Sequence, residues 1–268
     1  MYIVMVGDVV GSPGREILKK GIAFLKSQHK ADFVIVNAEN SAGGRGITPD
    51  VAEEIIAIGA DVITLGDHTW DQKEIKNYLD KQQKILRPAN FSVECPGKGY
   101  VSVNSPFGPV TVINLIGRAF MATYDCPYRA ADFILQNNPA SKIIFVDFHA
   151  EATSEKVVMG HYLDGRVTCV AGTHTHVQTS DEQILPNGTA YITDLGMTGP
   201  SNSALGRDLE SVTRRLLTGM PESFKVSKEP PIMEGIIVGV DHNSGKALSI
   251  ERFRFKEKDF GNIGENSL

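Results

Sequence analysis

The chain has 268 residues, of which 41% are hydrophobic and 22% charged, a composition typical of a soluble globular protein. Its formal charge of −5, without a basic tract, argues against an extended nucleic-acid surface, and no apolar run approaches the roughly 18 residues that span a membrane. Three cysteines without CxxC spacing argue against a disulfide framework or a zinc ribbon, and we expect a cytoplasmic location.

Short apolar runs rich in β-branched residues predict buried strands, the first three at residues 3–6, 33–36 and 62–65. The amphipathic stretches between them begin with residues that can cap free backbone N–H groups. These start signals are Ser12 before Pro13, Thr48 before Pro49, and Asp71 with Glu74 three residues later. The βαβαβα order predicts an α/β fold with a largely parallel sheet flanked by helices.

The middle of the chain, residues 84–127, loses helical periodicity and is rich in proline and glycine, which predicts hairpins or a small inserted subdomain over the site. Further strands are predicted at residues 110–115, 143–146, 167–171 and 190–192. Near the end, residues 234–240 and 247–253 flank a turn typical of a hairpin. No repeat or linker divides the chain, so we expect one domain over residues 1–268.

Five of the predicted strands share one feature: polar residues that can bind metals follow the apolar run at once. These residues are Asp8, Glu39 with Asn40, Asp67 with His68, His149, and His174 with His176. Ligands of open α/β sheets bind beyond the carboxyl ends of the strands, so we expect these side chains to converge. Each segment alone has a structural alternative, such as a helix cap, a solvated loop carboxylate or a buried histidine. Their coincidence favours a shared metal site.

The chemistry of these donors indicates the kind of metal. Carboxylate, amide and imidazole ligands suit Fe, Mn or Zn. The i, i+2 spacing of His174 and His176 lets both rings point to one side of an extended segment, one towards each of two adjacent metals, and a carboxylate such as Glu39 can bridge the pair. Two metals about 3.5–4 Å apart clamp a phosphoryl group and lower the pKa of a bound water towards about 7, so hydrolysis needs no protein nucleophile.

Longer motifs surround these residues, and from residue 1 to about residue 255 they closely resemble the bacterial YmdB-like metallophosphoesterases of the calcineurin-like superfamily. The motifs are Gly7-Asp8-Val9-Val10-Gly11, Asn37-Ala38-Glu39-Asn40, His68-Thr69-Trp70-Asp71, Arg87-Pro88-Ala89-Asn90, Asp147-Phe148-His149-Ala150-Glu151-Ala152-Thr153-Ser154-Glu155-Lys156, Gly172-Thr173-His174-Thr175-His176-Val177 and Thr193-Asp194-Leu195-Gly196-Met197-Thr198-Gly199.

The resemblance implies a calcineurin-like four-layer αββα sandwich and metal-dependent hydrolysis of small phosphodiesters, above all 2',3'-cyclic nucleoside monophosphates, by metal-bound hydroxide. It implies two transition-metal ions, divalent or mixed-valence, with Fe or Mn ahead of Zn, and is compatible with a homo-oligomer. By position, one metal would be held by Asp8, Glu39, Asn40 and His176, and the other by Glu39, Asp67, His149 and His174. His68 would donate the proton to the leaving oxygen.

Two positions depart from related patterns. The wider superfamily has Asp-x-His in its first motif, where this chain has Val10, and Asn40 fills the place as in the YmdB-like family. That family has Gly-Asn-His where this chain has Gly66-Asp67-His68, so a carboxylate replaces an amide at a predicted ligand. Two alternative functions remain: a phosphomonoesterase, because the metal chemistry is shared, and a regulatory RNA-associating protein whose metal centre serves binding or structure. The absence of a basic stripe weakens the second.

Overall fold

The structure is a computed structural model that describes residues 1–137 and 141–261. These residues form six α-helices: α1 (Gly11–Gln28), α2 (Pro49–Ile58), α3 (Ile75–Leu79), α4 (Pro127–Asn137), α5 (Thr153–Leu163) and α6 (Leu209–Thr218). They form fourteen strands: β1 (Tyr2–Val6), β2 (Asp8–Val9), β3 (Phe33–Asn37), β4 (Val62–Thr64), β5 (Ile85–Leu86), β6 (Tyr100–Ser105), β7 (Gly108–Ile116), β8 (Ile143–His149), β9 (Cys169–Thr173), β10 (Gln183–Ile184), β11 (Ala190–Ile192), β12 (Met197–Pro200), β13 (Pro231–Val240) and β14 (Ala247–Lys256).

The strands form two sheets. The first has the order β2-β12-β13-β1-β3-β4-β5, with β14 also paired to β13. Its strands β1, β3, β4 and β5 are parallel, as the βαβαβα pattern predicts, whereas β12, β13 and β14 extend the sheet with antiparallel pairs. The second sheet has the order β10-β11-β9-β8-β7-β6, with a parallel centre and an antiparallel strand at each edge.

Three buried apolar clusters hold the helices and the two sheets together. The first packs α1 and α2, through residues such as Leu18 and Ile55, on the outer face of the first sheet. The second fills the space between the sheets, where Met5 of β1 and Phe145 of β8 are buried. The third packs α4 and α5 on the outer face of the second sheet, with Met159 at its centre. Because each sheet must bury both faces, the result is the four-layer αββα sandwich that the resemblance implied.

Of the three predicted helix starts, one has the expected cap. The backbone N–H of Val51 donates to Thr48 Oγ1 at 3.3 Å, and Pro49 opens α2. The expectation for Ser12 is wrong, because α1 begins at Gly11 and Val10 precedes it without a side-chain cap. The expectation for Asp71 is also wrong: α3 begins only at Ile75, and the Asp71 carboxylate is instead engaged by two side chains near the site described below.

The remaining elements lie within the two sheets. Residues 84–127 supply β5 to the first sheet, and β6 and β7 form an antiparallel hairpin at the edge of the second. The predicted hairpin near the end is β13 with β14. Strand β9 begins two residues later than predicted, although Thr168 already contacts β8: its backbone N–H donates to the Ile144 carbonyl oxygen at 2.8 Å, and its hydroxyl accepts from the Ile144 N–H at 3.0 Å. Among the described residues, none of the helices combines the length and the apolar character that crossing a membrane requires.

Candidate metal centre

Strands of both sheets end at one edge of the sandwich, and the seven predicted ligands lie there. The oxygen donors belong to the first sheet: Asp8 opens β2, Glu39 and Asn40 follow β3, and Asp67 follows β4 at the start of a 3-10 helix (Asp67–Trp70). The three histidines belong to the second sheet: His149 ends β8, and His174 and His176 follow β9. The site therefore spans the interface between the two sheets.

Four of these residues form a compact group. Each of Glu39, Asp67, His149 and His174 offers one ligand atom, and these atoms lie within 4.8 Å of one another. His149 Nε2 is 3.0 Å from Asp67 Oδ1 and 3.2 Å from Glu39 Oε1, and His174 Nδ1 is 3.0 Å from His149 Nε2. A single metal ion can be reached by all four side chains.

The other three residues adjoin this group through Glu39. The Asn40 amide donates to Glu39 Oε1 at 3.1 Å and lies 3.2 Å from His176 Nε2. His176 Nε2 is in turn 3.7 Å from Asp8 Oδ1. Glu39 thus contacts members of both groups, which is the place a bridging carboxylate requires.

Each histidine has an outer partner for the ring nitrogen that does not face the cluster. His149 Nδ1 is 2.8 Å from Thr173 Oγ1, and that hydroxyl donates to buried Asp147 at 2.7 Å. His174 Nε2 is 3.2 Å from Glu151, and His176 Nδ1 is 3.2 Å from the carbonyl oxygen of Leu205. Such partners fix the orientation of a metal-binding imidazole. They leave Nε2 of His149, Nδ1 of His174 and Nε2 of His176 directed at the cluster.

Negative charge accumulates at the site. Asp8, Glu39 and Asp67 bring three carboxylates together, and in the described part of the chain no lysine or arginine forms an ion pair with them. Burial raises the pKa of Asp8 to about 7. Burial opposes protonation of His149, but Glu39 and Asp67 outweigh it and raise the pKa of His149 well above its ordinary value. This arrangement attracts cations.

His176 differs from His149 in its electrostatics. Burial lowers the pKa of His176 to about 4, so its ring is neutral at physiological pH. A neutral imidazole is the form that binds a metal ion.

Two further observations fit a bound cation. The Oδ1 atom of Asp8 is buried and has no hydrogen-bond partner among the described residues, although buried carboxylate oxygens are normally satisfied. Gly66 packs its backbone directly on the ligands: a Cβ at Gly66 would come within 2.3 Å of His149 Nε2 and 2.4 Å of Glu39 Oε2. Together with the mixed oxygen and imidazole donors, these features suit transition-metal ions.

The predicted proton donor lies beside the cluster. The backbone N–H of His68 donates to Glu39 Oε2 at 3.1 Å, and its imidazole Nδ1 is 2.9 Å from Asp71 Oδ2. Arg45 also contacts this Asp71 oxygen and lies 3.3 Å from His68 Nδ1. Because these contacts involve Nδ1, they leave Nε2 as the nitrogen available to a substrate. The His68 side chain is 26% exposed, so a ligand can reach it.

The segment that carries His174 and His176 has an unusual backbone. His174 has φ = 101° and His176 has φ = 62°, both in the left-handed region that residues with a side chain rarely adopt. The predicted extended geometry is therefore replaced by a turn, which directs the two rings to different groups.

The sequence matches the YmdB-like protein family over residues 4–253, nearly the whole chain. The chain belongs to this family. A 2',3'-cyclic-nucleotide 2'-phosphodiesterase from Bacillus subtilis (strain 168) is 47% identical over 253 residues, which cover 94% of this chain and 96% of that relative. The family resemblance of the motifs is thereby confirmed.

Two crystal structures extend the comparison to the fold. A hypothetical protein from Thermus thermophilus is 35% identical with a TM-score of 0.91, covering 96% of this chain and 100% of that chain. A novel phosphatase from Mycoplasma pneumoniae is 34% identical with a TM-score of 0.91, covering 97% of this chain and 95% of that chain. The YmdB-like chain therefore has the calcineurin-like fold that its motifs predict.

Sequence reasoning missed the residues that support the ligands. Thr173 and Glu151 lie inside the YmdB-like motifs, and a hydroxyl or carboxylate near a ligand histidine is a signal that could have marked them. Leu205 contributes only a backbone carbonyl, which no residue type indicates. The sequence pattern places Asp71 at a helix start, whereas its carboxylate lies 2.9 Å from His68 Nδ1.

Proposed function

We propose that this YmdB-like enzyme hydrolyses 2',3'-cyclic nucleoside monophosphates and breaks the bond from phosphorus to the ribose 2' oxygen. The coarser assignment, a phosphoesterase of the metallophosphoesterase class, follows from the family. The finer one is supported by the name of the Bacillus subtilis relative, which is 47% identical. The structural observation that supports metal-dependent hydrolysis is the position of Glu39 between two groups of predicted ligands, beside a histidine whose Nδ1 is held by Asp71.

The residues that we propose as ligands divide into two sets around Glu39. Asp67, His149 and His174 would hold one ion with Glu39, and Asp8, Asn40 and His176 would hold the other with the same carboxylate. Iron or manganese suits these donors, with zinc as the third option. Two such ions supply Lewis-acid activation of water and of the phosphoryl group.

His68 is proposed as the proton donor to the departing 2' oxygen. The Asp71 carboxylate lies 2.9 Å from His68 Nδ1, which orients the ring and leaves Nε2 to carry the proton that is transferred. The oxygen of a water molecule bonds to phosphorus as the bond from phosphorus to the 2' oxygen breaks, the 2' oxygen takes this proton, and the product retains the phosphate on the 3' oxygen. The hydrogen bond from the His68 backbone N–H to Glu39 fixes the position of His68 relative to the predicted ligands.

A phosphomonoesterase is the second candidate, because the Mycoplasma pneumoniae structure, 34% identical, is described as a phosphatase. The same ligands serve both reactions, and the substrate pocket decides between them. An RNA-associating role gains no support, since the net charge is −5.

The test is a substrate panel with metal-reconstituted protein: 2',3'-cyclic nucleotides, linear diesters, bis(p-nitrophenyl) phosphate and 2'- and 3'-monophosphates, with metal analysis of the same samples. We expect about two transition-metal ions per chain and a 3'-monophosphate as the product of the cyclic substrate. Preferential hydrolysis of the monophosphates would establish the second candidate instead. Full diesterase activity in metal-free protein would refute the metal centre.

His68→Ala tests the donor, with exposed His161→Ala as the matched control. The His68 variant should keep its metals but lose about 10²–10⁴ in turnover of the cyclic nucleotide. The loss should be much smaller for bis(p-nitrophenyl) phosphate, because p-nitrophenolate departs without a proton. Equal losses for both substrates would exclude the proton-donor role.

A further inference from the structure

A buried ion pair lies behind the turn that carries His174 and His176. Lys156 of α5 is 2.6 Å from Asp194, and their side chains are 2% and 0% exposed. Among the ion pairs that lysine or arginine forms within the described residues, this one alone has both partners buried. Neither residue contacts the predicted metal ligands directly, and the proposed reaction does not use them.

Asp194 is the acceptor that holds this turn. Its Oδ2 atom accepts from the Thr175 backbone N–H at 3.2 Å and from the Thr175 hydroxyl at 2.8 Å. Its Oδ1 atom accepts from the Gly196 N–H at 2.9 Å. Thr175 lies between the two histidines, so Asp194 fixes the turn at its middle residue.

The turn needs such an anchor. Both histidines have left-handed φ values, and conformations of this kind persist only where the surroundings determine them. A second anchor is Asp8, whose Oδ2 accepts from the His174 N–H at 3.1 Å. Asp8 is one of the predicted metal ligands, whereas Asp194 is not.

Lys156 completes the anchor. A carboxylate with no exposed surface requires a compensating charge, and Lys156 supplies it from α5. Strand β9 has a glycine where the lysine stem passes: a Cβ at Gly172 would come 2.8 Å from Lys156 Cδ. Strand β9, helix α5 and the turn therefore all pack against the Lys156–Asp194 pair.

We propose that the Lys156–Asp194 pair is a positioning element of the metal centre, which holds the His174-Thr175-His176 turn so that His174 Nδ1 and His176 Nε2 face the two metal positions. This inference rests on the metal centre of the proposed function. Because the turn carries one ligand of each metal, loosening it weakens both sites together. A pair that served only the stability of the fold would change unfolding and leave metal affinity unchanged.

The first experiment is Thr175→Val, which removes the hydroxyl contact to Asp194 and keeps the ion pair. Thr179→Val is the matched control, because the Thr179 hydroxyl contacts the Asp194 backbone N–H at 2.9 Å but not the turn. Mn²⁺ affinity is measured by chelator competition, the coupling of the two ions by electron paramagnetic resonance, and unfolding of the metal-free protein by its melting temperature. We expect affinity at both positions to fall about 10- to 100-fold in Thr175→Val, with a melting temperature close to that of the control.

The second variant is Lys156→Met, for which we expect a loss of Mn²⁺ affinity in the same range. If it does not fold, the double variant K156M/D194N, which leaves no buried charge unpaired, takes its place with the same expectation. Wild-type affinity at both positions in Thr175→Val, or an equal loss in Thr179→Val, would overturn the proposal. A wild-type protein that binds two metals but does not cleave cyclic nucleotides would instead remove the proposed function and leave this inference intact.

Discussion

Gly66→Ala should disable the metal centre by adding one methyl group. Gly66 has φ = −146° and ψ = −139°, so it lies outside the left-handed region, and we expect the effect through the contacts of the new methyl group. The new Cβ would lie 2.3 Å from His149 Nε2 and 2.4 Å from Glu39 Oε2. Ordinary contacts need about 3.5 Å, so these ligand atoms or the backbone must move by about 1 Å.

The cost of a displacement of this size can be estimated. Misplacing catalytic groups by about 1 Å can cost 10²-fold in rate, and overpacking a buried site destabilises by about 1–3 kcal/mol. We therefore expect Gly66→Ala to lose at least about 10²-fold in turnover of a 2',3'-cyclic nucleotide and part of its metal content. Steady-state kinetics and elemental analysis of the same preparation measure both.

Gly108→Ala is the control for this experiment. Gly108 has φ = 106° and open space around its Cα, so alanine there strains the β6–β7 hairpin without touching the ligands. It should lower the melting temperature and leave metal content and turnover per metal site unchanged. If Gly66→Ala retained full metal content and wild-type turnover, the close packing of residue 66 on His149 and Glu39 would be refuted.

Three further predictions follow from neighbouring contacts. Thr173→Val removes the hydroxyl that links His149 to Asp147 and should weaken Mn²⁺ binding about 10- to 100-fold in chelator competition. Thr198→Val is the control and should leave Mn²⁺ binding unchanged, because the Thr198 hydroxyl has no partner among the described residues. Asp67→Asn removes a negative charge and should lower metal affinity but raise turnover at neutral pH with saturating metal; an unchanged pH–rate profile and affinity would exclude coordination by residue 67. Burial raises the pKa of Tyr191 to about 12, so the folded state keeps its proton while the unfolded state loses it above pH 10. The contribution of Tyr191 to stability in urea should therefore fall between pH 10 and 12 by up to about 2–3 kcal/mol, and Tyr191→Phe should reduce the pH slope by that amount.

The sequence predicts the framework of the site because its apolar runs are short and well separated. The parallel strands β1, β3, β4, β8 and β9 have the ends that place polar residues at one edge, and this placement needs only the strand period and the rule for carboxyl ends. The structure brings Glu39 close to His149, 110 residues later, without further information from the chain. The pattern alone therefore places the oxygen donors together and the histidines together, whereas the packing of the two sheets brings the two sets into contact.

The supporting contacts were not available in this way. His176 Nδ1 meets the carbonyl of Leu205, a backbone group that every residue type offers. Asp71 stands in a sequence typical of a helix start, yet Arg45 and His68 approach its carboxylate across a turn. The residues next to Asp71 in the sequence indicate only whether it can cap a helix or lie in solvent. They contain no information about Arg45, which reaches Asp71 from a different loop.

The division of the ligands between the sheets links metal binding to folding. The predicted oxygen donors Asp8, Glu39 and Asp67 come from the first sheet, whereas the three predicted imidazole donors come from the second. Beneath them the same interface is crossed by Asn37 of β3 and Thr64 of β4, which both donate to Asp147 of β8. Neither sheet has a mixed donor set by itself, so the site is complete only when the sandwich is closed. A metal that binds only this closed state stabilises it by mass action, and the buried polar network fixes the register in which the two sheets meet.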